Sequence, residues 1–269
     1  MKVLRKYLVA LELGFQNAMQ YRTNFFLSIV SMIFPITIQY FLWTCVFQSS
    51  SGDTVYGYTY NQMLTYVVLA GLVTKMVSTG FEWEVADDVK NGGLNKYIVR
   101  PVGYYQYRIS CFLGAKIANL GIIGIITAIF LGFISSLLGL NVELVRVLLF
   151  ILAGILAIIM NYALVFCIST TSFWLNEVWG VFIAVNLSVN MLSGGLFPLE
   201  VFGETLQKIF NLLPFKYIIS FPINIINGKM ELNMVWNGLI LQLIWIIILT
   251  LVSAQLWKWG TRKYIAIGG

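Results

Sequence analysis

Residues 117–176 read IANLGIIGIITAIFLGFISSLLGLNVELVRVLLFILAGILAIIMNYALVFCISTTSFWLN. Two stretches within them, 117–142 and 147–176, carry no charged side chain, and the four residues between hold Glu143 and Arg146. About 20 apolar residues wound as a helix cross the ~30 Å hydrocarbon core of a bilayer. Both stretches exceed that length, and neither shows the ten-residue alternation of a membrane β-barrel. The pattern predicts two antiparallel membrane helices joined by a tight turn at Gly139–Glu143.

Four more charge-free runs of spanning length lie outside this pair, at 23–52, 54–74, 178–199 and 232–257. The next longest, 217–228, is too short to cross. Charged residues are 10% of the 269-residue chain, where soluble domains carry about 25%. Hydrophobic residues make 59% of it, and the mean hydropathy is +0.84. A soluble enzyme is excluded. The sequence predicts an all-α membrane protein, one transmembrane domain over 1–269. Its six transmembrane helices fall at about 24–47, 61–80, 112–138, 144–170, 178–196 and 233–257.

Charge sets the orientation. Six spans put both termini on one side, which then holds 13 of the 17 Lys and Arg residues, against 4 on the other. The positive-inside rule places both termini in the cytoplasm of a multi-pass protein. The net charge of +6 then faces anionic lipid and leaves no nucleic-acid footprint to explain. Residues 1–22 start with Lys2, Arg5 and Lys6, and Leu4, Leu8, Leu11 and Phe15 share one helical face. Glu12 interrupts any signal-peptide core, so the segment reads as a helix lying in the inner interface.

Missing residue types narrow the chemistry. The chain has no His, which removes imidazole metal sites and His-based triads. Cys45, Cys111 and Cys167 are scattered, and no G-x-x-x-x-G-K-[ST] loop occurs. No catalytic residue, metal site or cofactor is expected on this chain.

Two long loops carry structure of their own. The inner one, 81–103, opens with FEWEVADDVKNGG. As a helix it sets Glu84, Asp87 and Asp88 on one side and Trp83, Val85, Ala86 and Val89 on the other, with Glu82 and Lys90 falling towards the apolar side. Gly92 and Gly93 end it, and Arg100 and Pro101 stop a second short stretch. Such a segment reads as a docking element for a partner protein. The outer loop, 194–231, holds Pro198, Pro214 and Pro222, and is too apolar for a solvated loop. It is expected to form two short helices, Val201–Leu213 and Pro214–Gly228, as a re-entrant or interfacial hairpin.

Polar residues inside the spans are few. Asn186 and Asn190 share a face of the fifth span with Ser193 one turn on, and Gln39, Asn119 and Asn161 are similarly embedded. They read either as interhelical hydrogen-bonding groups or as the lining of a transport path or subunit seam. No acid lies deep in a span, which disfavours an ion-driven carrier.

An interfacial helix, six spans, a docking loop after the second and an apolar outer hairpin before the sixth together resemble the permease subunit of a type-2 ABC exporter. The likeness covers essentially the whole chain. Its most specific parts are Glu82–Pro101, similar to that family's coupling helix, and the hairpin from Gly194-Gly195-Leu196-Phe197-Pro198 to Pro214. The resemblance implies a bacterial inner-membrane permease coupled through Glu82, Trp83, Glu84, Val85, Asp87, Asp88, Val89, Gly92, Gly93, Arg100 and Pro101 to two cytosolic ATPase chains. These partners would bind the ATP and Mg. It also implies a second permease subunit, a different chain by likeness to one bacterial subgroup, with Gln39, Asn186, Asn190 and Ser193 on the path or seam. The alternatives are a self-contained channel or secondary carrier, and an intramembrane enzyme. A drug, peptide, lipid or lipid-linked glycan fits such a path equally well.

Overall fold

A computed structural model describes residues 2–99, 102–138 and 143–264. Arg100, Pro101 and residues 139–142 of the expected outer turn lie outside them. In chain order the elements begin with α1 (Lys2–Gln20), α2 (Arg22–Ser49) and a two-strand ribbon, β1 (Thr54–Val55) and β2 (Tyr58–Thr59). Then come α3 (Tyr60–Val77), α4 (Phe81–Lys90), α5 (Asn95–Ile98), α6 (Tyr104–Leu138), α7 (Leu144–Ser169) and α8 (Trp179–Leu192). The chain closes with α9 (Gly203–Leu212), α10 (Ser220–Ile226) and α11 (Leu232–Lys263). The protein is all-helical apart from the ribbon, whose turn holds Tyr56 and Gly57 at positive φ, as a tight two-residue hairpin turn requires.

The core forms around α7. Ala153, Ala157 and Ala163 are fully buried, and their small side chains let α10 and α11 pack closely against that helix. Gln242 of α11 crosses the seam, donating to the Ala153 carbonyl at 3.1 Å and the Tyr217 carbonyl at 2.8 Å. Packed on α7 from another side, α3 begins with a reciprocal cap. The Gln62 amide donates to Thr59 Oγ1 at 3.3 Å, and the Thr59 amide to Gln62 Oε1 at 3.0 Å.

Among the described residues, five helical stretches are long and apolar enough to cross a membrane: Arg22–Ser49, Tyr60–Lys90, Tyr104–Gly132, Leu144–Phe173 and Leu232–Lys263. The expected fifth span, about 178–196, is instead the 14-residue α8. At ~1.5 Å per residue it is about 21 Å long, short of a ~30 Å core. Its end is set at Gly194, where φ is +85° and where the Tyr66 hydroxyl donates to the carbonyl at 2.8 Å. An L side chain rarely adopts that backbone conformation.

The outer loop folds as expected into two short helices, α9 and α10, with different surroundings. All seven residues of α10 are buried, while α9 leaves Leu206, Ile209 and Leu212 exposed. Arg146 closes the C-terminal end of α10 by donating to the Ile225 and Met230 carbonyls at 3.3 and 3.0 Å. Lys229 pairs with Glu200 at 3.2 Å and lies over the Tyr58 ring, which ties this loop to the β-ribbon. Burial lowers the Lys229 pKa and raises that of the Tyr58 hydroxyl.

The first helix docks on α6 through a face that the apolar stripe did not include. Ala10 and Gly14 are buried, and Gly14 and Gly114 meet the backbones of Cys111 and Leu11, so α1 and α6 touch main chain to main chain. The anticipated apolar stripe is left largely open, with Leu8 56% and Phe15 39% exposed.

Candidate functional site

The segment that links α3 to α6 folds into one end of the bundle, beside the end of α7 and the start of α8. Gly80, at φ +155°, turns the chain out of α3 into α4. The side chains of α4 then divide by face in a way that the sequence only partly foretold. Glu82, Val85, Ala86, Asp88 and Val89 are buried, whereas Trp83, Glu84 and Asp87 are exposed. At 100° per residue the exposed three lie within roughly 100° of arc. Val85 and Val89, expected to pack on a partner, are core residues that hold the helix in place. Asp88, expected to offer charge to a partner, is spent internally.

That internal use is a clamp. Arg108 of α6 donates to Glu84 and Asp88, and its Nε donates to the Tyr104 hydroxyl at 3.0 Å. The Tyr104 hydroxyl donates to Asp88 Oδ2 at 2.7 Å, and Lys96 adds a 3.4 Å pair from the solvent side. Stacked on Tyr104 at 4.5 Å is Trp257 of α11, so the clamp also registers the C-terminal helix. Charge-assisted bonds of this kind are geometrically demanding. They fix the angle at which α4 leaves the bundle. Lys90 further ties the helix to the Asn176 carbonyl before α8. Gly93, expected as an end stop, sits against the Asp88 side chain so closely that a Cβ would collide with it.

Above α4 a cleft of about 400 Å³ opens between α3, α4, α7 and α8. Its floor is Glu82, 4% exposed, whose Oε2 accepts from Thr79 Oγ1 at 3.1 Å and whose Oε1 accepts from Asn186 Nδ2 at 3.1 Å. Asn190 lines the cleft one turn along α8, and Asn161 reaches in from α7. The Asn161 amide donates to the Val77 carbonyl at 2.8 Å, which leaves Oδ1 as a free acceptor. Among the described residues, Asn161 Oδ1, Asn190 Oδ1 and Thr74 Oγ1 are buried without a hydrogen-bond partner. Leaving such an atom unpaired costs on the order of 1–3 kcal/mol.

Of the residues expected on a path, Asn186 and Asn190 thus meet at one cleft. Ser193 is fully buried behind it, its carbonyl accepting from the Ser220 amide at 2.9 Å. Gln39 sits half-buried on α2, away from the cleft lining. Sequence reasoning missed Arg108, whose partners stand 20 and 24 positions away, and gave Thr74 and Thr79 no role. Asn161 was visible as a lone polar residue in a charge-free run.

Long apolar helices, a polar cleft among them and a short clamped helix are the features of a multi-pass membrane protein. The family model described as ABC-2 family transporter protein matches residues 33–268. The chain belongs to that family and is an ABC-2 type permease. Searches of curated proteins and of solved structures found no match.

Proposed function

We propose that this chain is the membrane-spanning subunit of an ATP-driven exporter and receives work through α4 from a separate cytosolic ATPase. One observation carries the reading: α4 faces two ways at once. Trp83, Glu84 and Asp87 point outward, while Glu82 on its inner side is hydrogen-bonded to Asn186 of α8 at the cleft. A push on the outer face therefore reaches the cleft wall through one helix and one hydrogen bond. Trp83 also packs edge-on against Phe182 of α8, with ring centroids 5.1 Å apart. Both links join the docking element to the same moving part.

In this reading both termini are cytoplasmic, and α1 lies in the inner interface with Leu8 and Phe15 in lipid. The short α8 together with the α9–α10 hairpin completes the sixth crossing at the outer side. Two ATPase chains bind ATP and Mg and dock on two permeases, this chain and a second one. The scarcely buried α2, of which only Trp43 is buried, supplies apolar surface for that seam or for lipid.

The test is co-purification with the cytosolic ABC ATPase proposed as partner, together with ATP turnover in reconstituted membranes. Interface aromatics in hot-spot positions are commonly worth 2 kcal/mol or more, and a lone exposed acid about 0–1 kcal/mol. Trp83→Ala is expected to lower ATPase retention at least tenfold and abolish transport, while Asp87→Ala leaves both near wild type. Wild-type retention and transport in Trp83→Ala would remove α4 from the coupling role.

A further inference from the structure

The cleft has a chemistry of its own, which narrows the substrate class beyond the proposed permease function. Asn161 Oδ1 there is an acceptor with no donor, Thr74 Oγ1 is an unpaired hydroxyl, and Asn190 Oδ1 is turned against Gly195. At its floor the buried Glu82 carboxyl accepts one hydrogen bond on each oxygen, and no Lys or Arg among the described residues pairs with it. Three nearby cations are engaged elsewhere, and Lys75 lines the neighbouring cleft with Lys116 and Asn119. Arg108 is held by Glu84 and Asp88, Lys90 by the Asn176 carbonyl, and Lys116 by the Met76 carbonyl at 2.8 Å. Ile183, Leu187 and Ile219 supply apolar wall. A carboxyl group taken out of water is costly unless a counter-charge or further donors arrive. The volume, about 400 Å³, suits a small organic molecule.

We infer that the cleft binds an amphiphile bearing a primary ammonium. The head donates to Glu82 and to Asn161 Oδ1, and the apolar body lies on Ile183 and Leu187. An anionic head meets the Glu82 carboxyl group there and is rejected. A neutral head fills the volume but leaves Glu82 without its charge partner. The inference rests on the cleft being part of the transport path, and it concerns binding to this chain alone.

The experiment uses the full chain in phosphatidylcholine nanodiscs without ATPase or nucleotide, so a failure of coupling does not affect it. The probe is dansylcadaverine, which joins a fluorescent apolar body to a primary ammonium. Its N-acetyl derivative is a neutral near-isostere. The wild-type chain is expected to bind the ammonium saturably and the acetylated form at least tenfold more weakly. Glu82→Gln should lower ammonium affinity at least tenfold and change affinity for the acetylated form less than twofold. Asn161→Leu should weaken the ammonium form, and Asp53→Asn, on the exposed outer loop, should change neither. Equal wild-type affinity for both probes overturns the assignment without needing any variant to fold. Unchanged ammonium binding by Glu82→Gln, with wild-type circular dichroism, overturns it independently.

Discussion

Arg108 shows what a single residue does here. Its side chain is 9% exposed and that of Asp88 7%, so the pair is removed from water. Breaking one partner of a buried pair costs about 3–5 kcal/mol, because the other charge is stranded. Tyr104 and Lys96 still reach Asp88, which points to the lower end of that range. Arg108→Leu is expected to destabilise the protein by about 3 kcal/mol, read as a lowered thermal midpoint and faster proteolysis between α4 and α6. Glu84→Gln, on a side chain 64% exposed, should cost no more than about 1 kcal/mol. An equal loss in both variants would show that the clamp carries no special weight. The clamp also explains what the sequence did and did not disclose at this scale. That Glu82 falls on the apolar side of α4 follows from helical spacing alone. That Asp88 turns inward does not, because its partner sits on another helix. A charge reversal at Asp88 would break the permease's own scaffold before it touched any partner.

At the scale of elements, charge-free runs located α2, α3, α6, α7 and α11, because length and apolarity are what a bilayer selects. The same measure failed for α8. The run 178–199 contains no charge, yet its helix stops at Leu192 for conformational reasons. Gly194 is left-handed, and a Cβ there would stand 2.5 Å from the Tyr66 hydroxyl and 3.0 Å from Ser220 Cβ. Gly194→Ala is therefore expected to destabilise by about 1–3 kcal/mol, whereas Gly121→Ala, in open space on α6, should be neutral or slightly stabilising. Thermal melting of the two variants in parallel checks this, and equal midpoints would contradict the account of how α8 ends. In α1, hydrophobic periodicity picked out Leu4, Leu8, Leu11 and Phe15, but the helix docks through Ala10 and Gly14. A stripe of small residues carries almost no hydropathy signal, although it permits the closest backbone approach.

The whole molecule combines a bundle of long apolar helices, a polar cleft and the short helix α4 proposed above as the coupling element. The orientation proposal is open to direct test. Reporter fusions at Lys96 and after Lys263 should read cytoplasmic, and fusions at Asp53 and Lys208 external. An external signal at Lys96 would invert the molecule and detach α4 from any cytosolic motor. The central claim is that the outward face of α4, and no other face, meets an ATPase. Placing the photo-crosslinker p-benzoylphenylalanine at Asp87 tests it most directly, in cells that express this chain with the ABC ATPase proposed as its partner. The same probe at Leu206, exposed on α9 at the opposite end of the bundle, serves as the comparison. The account predicts an adduct of permease plus ATPase from Asp87 and none from Leu206. An ATPase adduct from Leu206, or its absence at Asp87 while the complex still co-purifies, would contradict it.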